Sequence, residues 1–244
     1  MAKIRNAKPK RQTGAYDRLI DNKEIAILCS KGRSTVISNG TELEKIVIEN
    51  AKKKVEDLDK FIQMCSDGTV EDGTYLCTKN VIKKSELYQL KGNEPDFVIF
   101  TVDKRQKLCR VIELKDGDVF DTKKAKGEKK ALQNFVNHLA PKIPFCIKFY
   151  VCCFNQLDKH KIVTGFKGEF TEDEVMTGKE LCDILGIDYD TILRIRKEDS
   201  IDNLQYIFEV LSSVKPLRFF ILGEQRKHIS EDDFYDDDGI VAED

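Results

Sequence analysis

No run of apolar residues in this 244-residue sequence approaches the roughly 20 needed to cross a bilayer, so a membrane role is not expected. The N-terminus is basic, with five Lys or Arg and no acid in its first twelve residues. No apolar stretch follows it, and no secretory signal is read there. The expectation is an intracellular, cytoplasmic chain. Cysteine is not scarce, at eight residues, but no CxxC pair occurs. The spacing from Cys146 to His160 fits no standard zinc framework, so free thiols packed as small hydrophobes are expected. Internal repeats are absent. The last fourteen residues, 231–244, hold eight acids and no Lys or Arg, which predicts a solubilising, disordered tail. The remaining 230 residues carry 41 basic against 35 acidic groups. A body of that balance can hold a phosphate-binding face, because local field matters more than total charge.

What is present is a soluble composition, 41% hydrophobic and 34% charged, in a chain long enough to bury a core without disulfides. Residues 1–20 read as a basic, mobile arm. Thr41-Glu42-Leu43-Glu44 has the capping-box pattern. Behind it Leu43, Ile46, Val47, Ala51, Val55, Leu58 and Phe61 recur at helical spacing, predicting one long amphipathic helix. Residues 97–102 and 108–114 are rich in β-formers and flank a polar turn, which predicts an antiparallel hairpin. Residues 126–140 read as a helix closed by Pro141 and Pro144. The apolar run 145–154 predicts a strand covered on both faces, and 161–166 a shorter strand beside it. Thr177 and Glu180 form a second capping box, with Gly186 stopping that helix. Two short helices, 190–196 and 203–212, and a strand at 218–223 complete the reading. The expected fold is α/β, a mixed central sheet flanked by helices. Residues 1–170 form its catalytic core and 171–230 a partly helical extension serving recognition or dimerisation.

The chemistry concentrates in Pro95-Asp96 and Glu113-Leu114-Lys115. Alternation along a strand points Glu113 and Lys115 one way, and Ile112 and Leu114 into a core. Folding of the hairpin brings Asp96 beside them. Two carboxylates offer hard oxygen ligands for Mg²⁺, with the Leu114 carbonyl a further donor. Lys115 can orient or deprotonate an attacking water. That set suits metal-dependent phosphodiester hydrolysis. A surface ion pair is the plainer alternative.

At these residues the chain resembles the PD-(D/E)xK nuclease superfamily, above all its type II restriction endonucleases. The likeness covers roughly residues 40–155: helix, hairpin with motif, helix, buried strand. It implies Mg²⁺ (with Mn²⁺ able to substitute) on Asp96, Glu113 and Leu114, with Lys115 beside the nucleophilic water. It also implies products with 5′-phosphate and 3′-hydroxyl ends. Many members add a Glu from the first core helix. Glu44 is the candidate and Glu49 the second, although Glu44 reads equally well as the capping partner of Thr41. The resemblance further implies duplex DNA as substrate, a homodimer, and a DNA methyltransferase as partner in the system.

Other residues stay open between two readings. Asp116, Asp118 and Asp121 are ligands for a second metal or ordinary turn residues. Lys123, Lys124, Lys126, Lys129 and Lys130 form a solvated face or a grip on DNA phosphates, with Gln133 nearby. Asn155, Gln156, Arg194 and Arg196 are available to read bases. The alternative functions are a structure-specific repair or recombination nuclease and a non-catalytic DNA-binding module. The lack of a helicase-type P-loop favours a free-standing enzyme.

Overall fold

The structure is a computed structural model that describes residues 2–9, 14–88, 92, 94–103, 106–215 and 217. The chain divides into two compact units, one of Gly40–Leu193 and one of Met1–Asn39 with Arg194–Asp244.

The first unit is built on one sheet. Its strands are β1 (Gly73–Thr78), β2 (Phe97–Val102), β3 (Lys107–Lys115), β4 (Cys146–Cys153) and β5 (Val175–Thr177), in the order β1-β2-β3-β4-β5. The first three run antiparallel; β4 lies parallel to β3 and β5 parallel to β4. The sheet is therefore mixed, as expected. The 97–102/108–114 hairpin forms with Val98 opposite Val111. One face packs Val98, Phe100, Cys109 and Val111 under Phe61, Phe135 and Ile162. The other packs Phe97, Ile99, Ile112 and Leu114 under Leu43, Val47, Leu181 and Ile192. Helices thus cover both faces, and alternate residues of β3 are committed to opposite layers.

In chain order the helices are α1 (Gly14–Ile20), α2 (Lys23–Asn50), α3 (Leu58–Ser66), α4 (Lys79–Ile82), α5 (Thr122–Leu139), α6 (Lys159–Gly165), α7 (Gly178–Leu185) and α8 (Tyr189–Ser213); α1, residues 23–39 of α2 and residues 194–213 of α8 belong to the second unit. Side-chain caps start several of them. Asp57, Asp121 and Asp158 accept first-turn N–H groups of α3, α5 and α6. Thr177 and Glu180 make the expected capping box on α7, and Gly186 closes it in the left-handed conformation.

Several expectations are corrected. Thr41 caps nothing: it lies inside α2, which begins at Lys23. The hydroxyls of Thr35 and Ser38 bond the carbonyls one turn back, Lys31 and Ser34, so residues that suit caps are carried within the helix. The pattern from Leu43 to Phe61 is broken after Asn50; Lys54 bridges to Leu76 and Asp57 starts α3 afresh. Residues 161–165 are helical and Phe166 is their C-cap, because the Asp158 carboxylate accepts the N–H groups of His160 and Lys161 and starts α6. The two short C-terminal helices are one, α8. Strand β4 is fully covered only in its second half, from Val151 to Cys153, where β5 joins it.

In the second unit, the residues read as a basic arm carry a short turn and helix α1. Ile4–Asn6 form a 3-10 turn. The Ile4 N–H donates to Asn203 Oδ1 at 2.6 Å, and Arg5 pairs with Glu209 at 2.9 Å. The expected strand at 218–223 and the acidic tail lie outside the described residues. Among the described residues no helix is long and apolar enough to cross a membrane.

Candidate active site

The hairpin sets the geometry. Phe97 pairs with Ile112, so Asp96, one residue earlier, stands level with Glu113 past the end of the ladder. Asp96 is 8% exposed. A buried carboxylate needs partners, and its Oδ2 accepts the Leu114 N–H at 2.9 Å while Oδ1 lies 3.6 Å from Lys79 Nζ. The N–H and C=O of one strand residue project to the same side, so the Leu114 carbonyl also points towards Asp96. The motif residues are thus brought together as the spacing suggests.

Lys115 Nζ lies 2.7 Å from Glu113 Oε1 and 2.7 Å from Glu128 Oε1. The three side chains are largely enclosed. Burial pushes the Glu113 carboxyl up to about 7; Asp96 adds to this and Lys115 opposes it. Burial would lower the Lys115 ammonium, but its pairing with Glu113 and Glu128 outweighs that and raises it. Glu44, on α2, is raised by burial and then by Asp96, against Lys79 and Lys115. With Thr41 inside the helix, the capping reading of Glu44 falls away. The residue lies within electrostatic reach of the motif, whereas Glu49 is exposed.

A cleft of about 190 Å³ opens here, lined by Lys79, Glu94, Pro95, Glu113, Glu128 and Leu132 among others. Among the described residues, no three Asp, Glu, His or Cys side chains form a ready-made ligand cluster. The available donors are two carboxylates and a carbonyl, all hard oxygens. That set suits a cation such as Mg²⁺, which keeps several waters and takes only one or two carboxylates. Burial is the larger cause of the rise at Glu113 and Glu44, and the Asp96 repulsion that adds to it is what a divalent cation would relieve.

Two participants escaped the sequence reading. Glu128 sits with Ala125, Leu132, Phe135 and Leu139 at helical spacing, all four of them buried. An acid on that stripe, alone among lysines, is the signal that could have found it. Lys79 opens α4 and had no such signal.

The remaining candidates lie apart from this cleft or are otherwise engaged. Asp121 caps α5 through the Lys124 N–H. Asn155 donates to the Asp116 side chain and carbonyl, and Gln156 to Asp118. Lys124 lies over the Phe120 ring. Lys126 pairs with Glu169 and Lys129 with Glu174. Lys126, Lys129, Lys130 and Gln133 line a separate cleft of about 750 Å³ with Asn137 and Phe149. Lys123 is exposed. On α8 Arg194 is exposed, but Arg196 is only 8% exposed and presents little surface to a duplex.

A scan against protein-family models finds no match. The type II restriction enzyme HhaII of Haemophilus parahaemolyticus is 44% identical over 232 residues, covering 93% of this chain and all of that protein. Identity of that extent, with the mixed sheet and its motif-bearing hairpin, shows that the chain belongs to the type II restriction endonucleases of the PD-(D/E)xK superfamily and is a nuclease.

Proposed function

We propose that the enzyme makes Mg²⁺-dependent double-strand cuts at a short specific DNA sequence, with Asp96, Glu113 and the Leu114 carbonyl holding the ion and Mn²⁺ able to replace it. The observation that carries this reading is the 2.9 Å bond from the Leu114 N–H to Asp96 Oδ2, which fixes one carboxylate beside the Glu113–Lys115 strand end. When bound, the cation polarises the phosphate and lowers the pKa of a coordinated water.

The chain's own groups supply position. Lys115 projects its ammonium from the same strand face as Glu113 and orients the attacking water or a phosphoryl oxygen. The water oxygen bonds to phosphorus as the P–O3′ bond breaks. The phosphoryl group stays on the 5′ oxygen, the attacking water gives up one proton to solvent, and the leaving 3′ oxygen takes one up from solvent. Glu44 adds negative potential beside Asp96 and favours cation binding. Lys123, Lys124, Lys126, Lys130 and Gln133 are candidate phosphate contacts, and Asn155, Gln156 and Arg194 candidate contacts near bases. A homodimer and a methyltransferase that protects the same sequence complete the proposal.

Plasmid digestion tests it. Discrete, reproducible fragments are expected with Mg²⁺ and none in chelator. Lys115→Ala and Asp96→Asn are each expected to lower the cutting rate on the order of 10²–10⁴-fold with folding retained. Full cleavage in chelator sinks the metal assignment. Wild-type rates in Lys115→Ala sink the role given to that residue.

A further inference from the structure

The Lys115 ammonium has two carboxylate anchors, and only one belongs to the motif. Glu113 stands two residues away on the same strand. Glu128 comes from α5, thirteen residues on, with an equally short 2.7 Å contact. We propose that Glu128 is a positioning residue for DNA hydrolysis: from α5 it fixes the Lys115 ammonium at the strand end independently of Glu113. This rests on the reading of Lys115 as the group that orients the attacking water.

Glu113 cannot do this alone. Glu113 and Lys115 are long side chains on one strand face, and the pair can swing together. A cation held by Asp96 and Glu113 also competes for the Glu113 oxygens and repels the ammonium. With Glu113 as its sole partner, Lys115 would be displaced when the cation arrives. Glu128 is anchored differently. Its helix is capped by Asp121 and held by the buried Ala125, Leu132, Phe135 and Leu139. The core therefore sets its position. Side-chain exposures of 16%, 17% and 20% for Lys115, Glu113 and Glu128 leave little solvent to screen the pairing. Glu128 is also the sole acid in α5, on a stripe where an apolar residue would bury at less cost.

Steady-state cleavage of a duplex carrying the mapped site tests the proposal. Glu128→Ala is expected to lower kcat about 10–100-fold, as loss of such a supporting partner does, with KM nearly unchanged. Glu128→Gln keeps the shape and one acceptor, and is expected to recover part of the rate. In single turnover, Glu128→Ala placed on Lys115→Ala is expected to cost nothing further, because both changes act through one group. Wild-type kcat in Glu128→Ala overturns the proposal. So does a change confined to KM, or a full additional loss on the Lys115→Ala background. If the Ala variant unfolds, Glu128→Gln carries the same comparison, and unchanged kcat in folded Gln variant overturns it. Failure of the underlying reading looks different: Lys115→Ala itself then cuts like wild type.

Discussion

Asp96 and Asp59 both accept backbone N–H groups, with different consequences. Asp96 is held by the Leu114 N–H beside the Glu113–Lys115 strand end. Asp59 ties α3 to the turn after α4 by accepting the Ser85 hydroxyl at 2.6 Å and the N–H groups of Glu86 and Leu87 at 3.0 and 3.2 Å. Burial alone would raise the Asp59 carboxyl, but these three donors outweigh it and hold it below its ordinary value of 3.8. A depressed folded-state pKa contributes stability that is fully present above the unfolded value and is lost as pH falls through the folded one. Asp59→Ala should therefore destabilise the protein at pH 7, and the gap to wild type should narrow at about pH 3. Urea unfolding at both pH values measures this. A constant gap would mean that the charge of Asp59 is not the source. The thiols make a second residue-scale prediction. Burial pushes Cys77, Cys153 and Cys182 up to about 12, while Cys146 is exposed. Brief alkylation followed by peptide mass mapping should label Cys146 well before those three.

At the scale of elements, the end of α6 is pressed against the loop that leaves the motif strand. A Cβ on Gly165 would overlap the backbone carbonyl of Asp118, which cannot turn aside as a side chain could. The Phe120 N–H also donates to the Gly165 carbonyl at 3.1 Å. Gly165→Ala should cost about 1–3 kcal/mol of stability and also slow cleavage, because the displaced loop begins at Lys115. Gly127→Ala is the contrasting change. Nothing lies within 4 Å of its would-be Cβ, and it should stabilise α5 by about 0.5–1 kcal/mol. Thermal unfolding of the two variants should move in opposite directions. These elements also show what the sequence could and could not disclose. The hairpin was legible because β-former runs and a polar turn are local signals. The Thr177–Glu180 cap was legible because its partners lie three residues apart. Thr41 and Glu44 have the same spacing, yet nothing local reveals that the helix had already begun at Lys23. Strand β1 escaped because its pairing with β2 spans the long connection of residues 79–96. Asp96, Glu113 and Lys115 could be assembled from one hairpin, but Glu128 and Lys79 reach the site from elements whose docking depends on the whole sheet.

At the scale of the molecule, each chain carries one Asp96–Glu113–Lys115 constellation, whereas a cut through both strands of a duplex needs two hydrolytic events. A two-fold symmetric target matches a two-fold symmetric protein, so that each strand meets one site. For the proposed homodimer, sedimentation should give about twice the 28.0 kDa chain mass. A supercoiled plasmid with one target should pass to the linear form with little nicked circle accumulating. A mixed dimer carrying Lys115→Ala in one subunit separates paired sites from sequential cutting by one. It should nick the target, because the intact site still faces one strand while its neighbour binds without cutting. Accumulation of nicked circle by the wild-type enzyme as the main product, together with a monomeric mass, would overturn the dimer. Full linearisation by the mixed dimer at the wild-type rate would show instead that one site serves both strands.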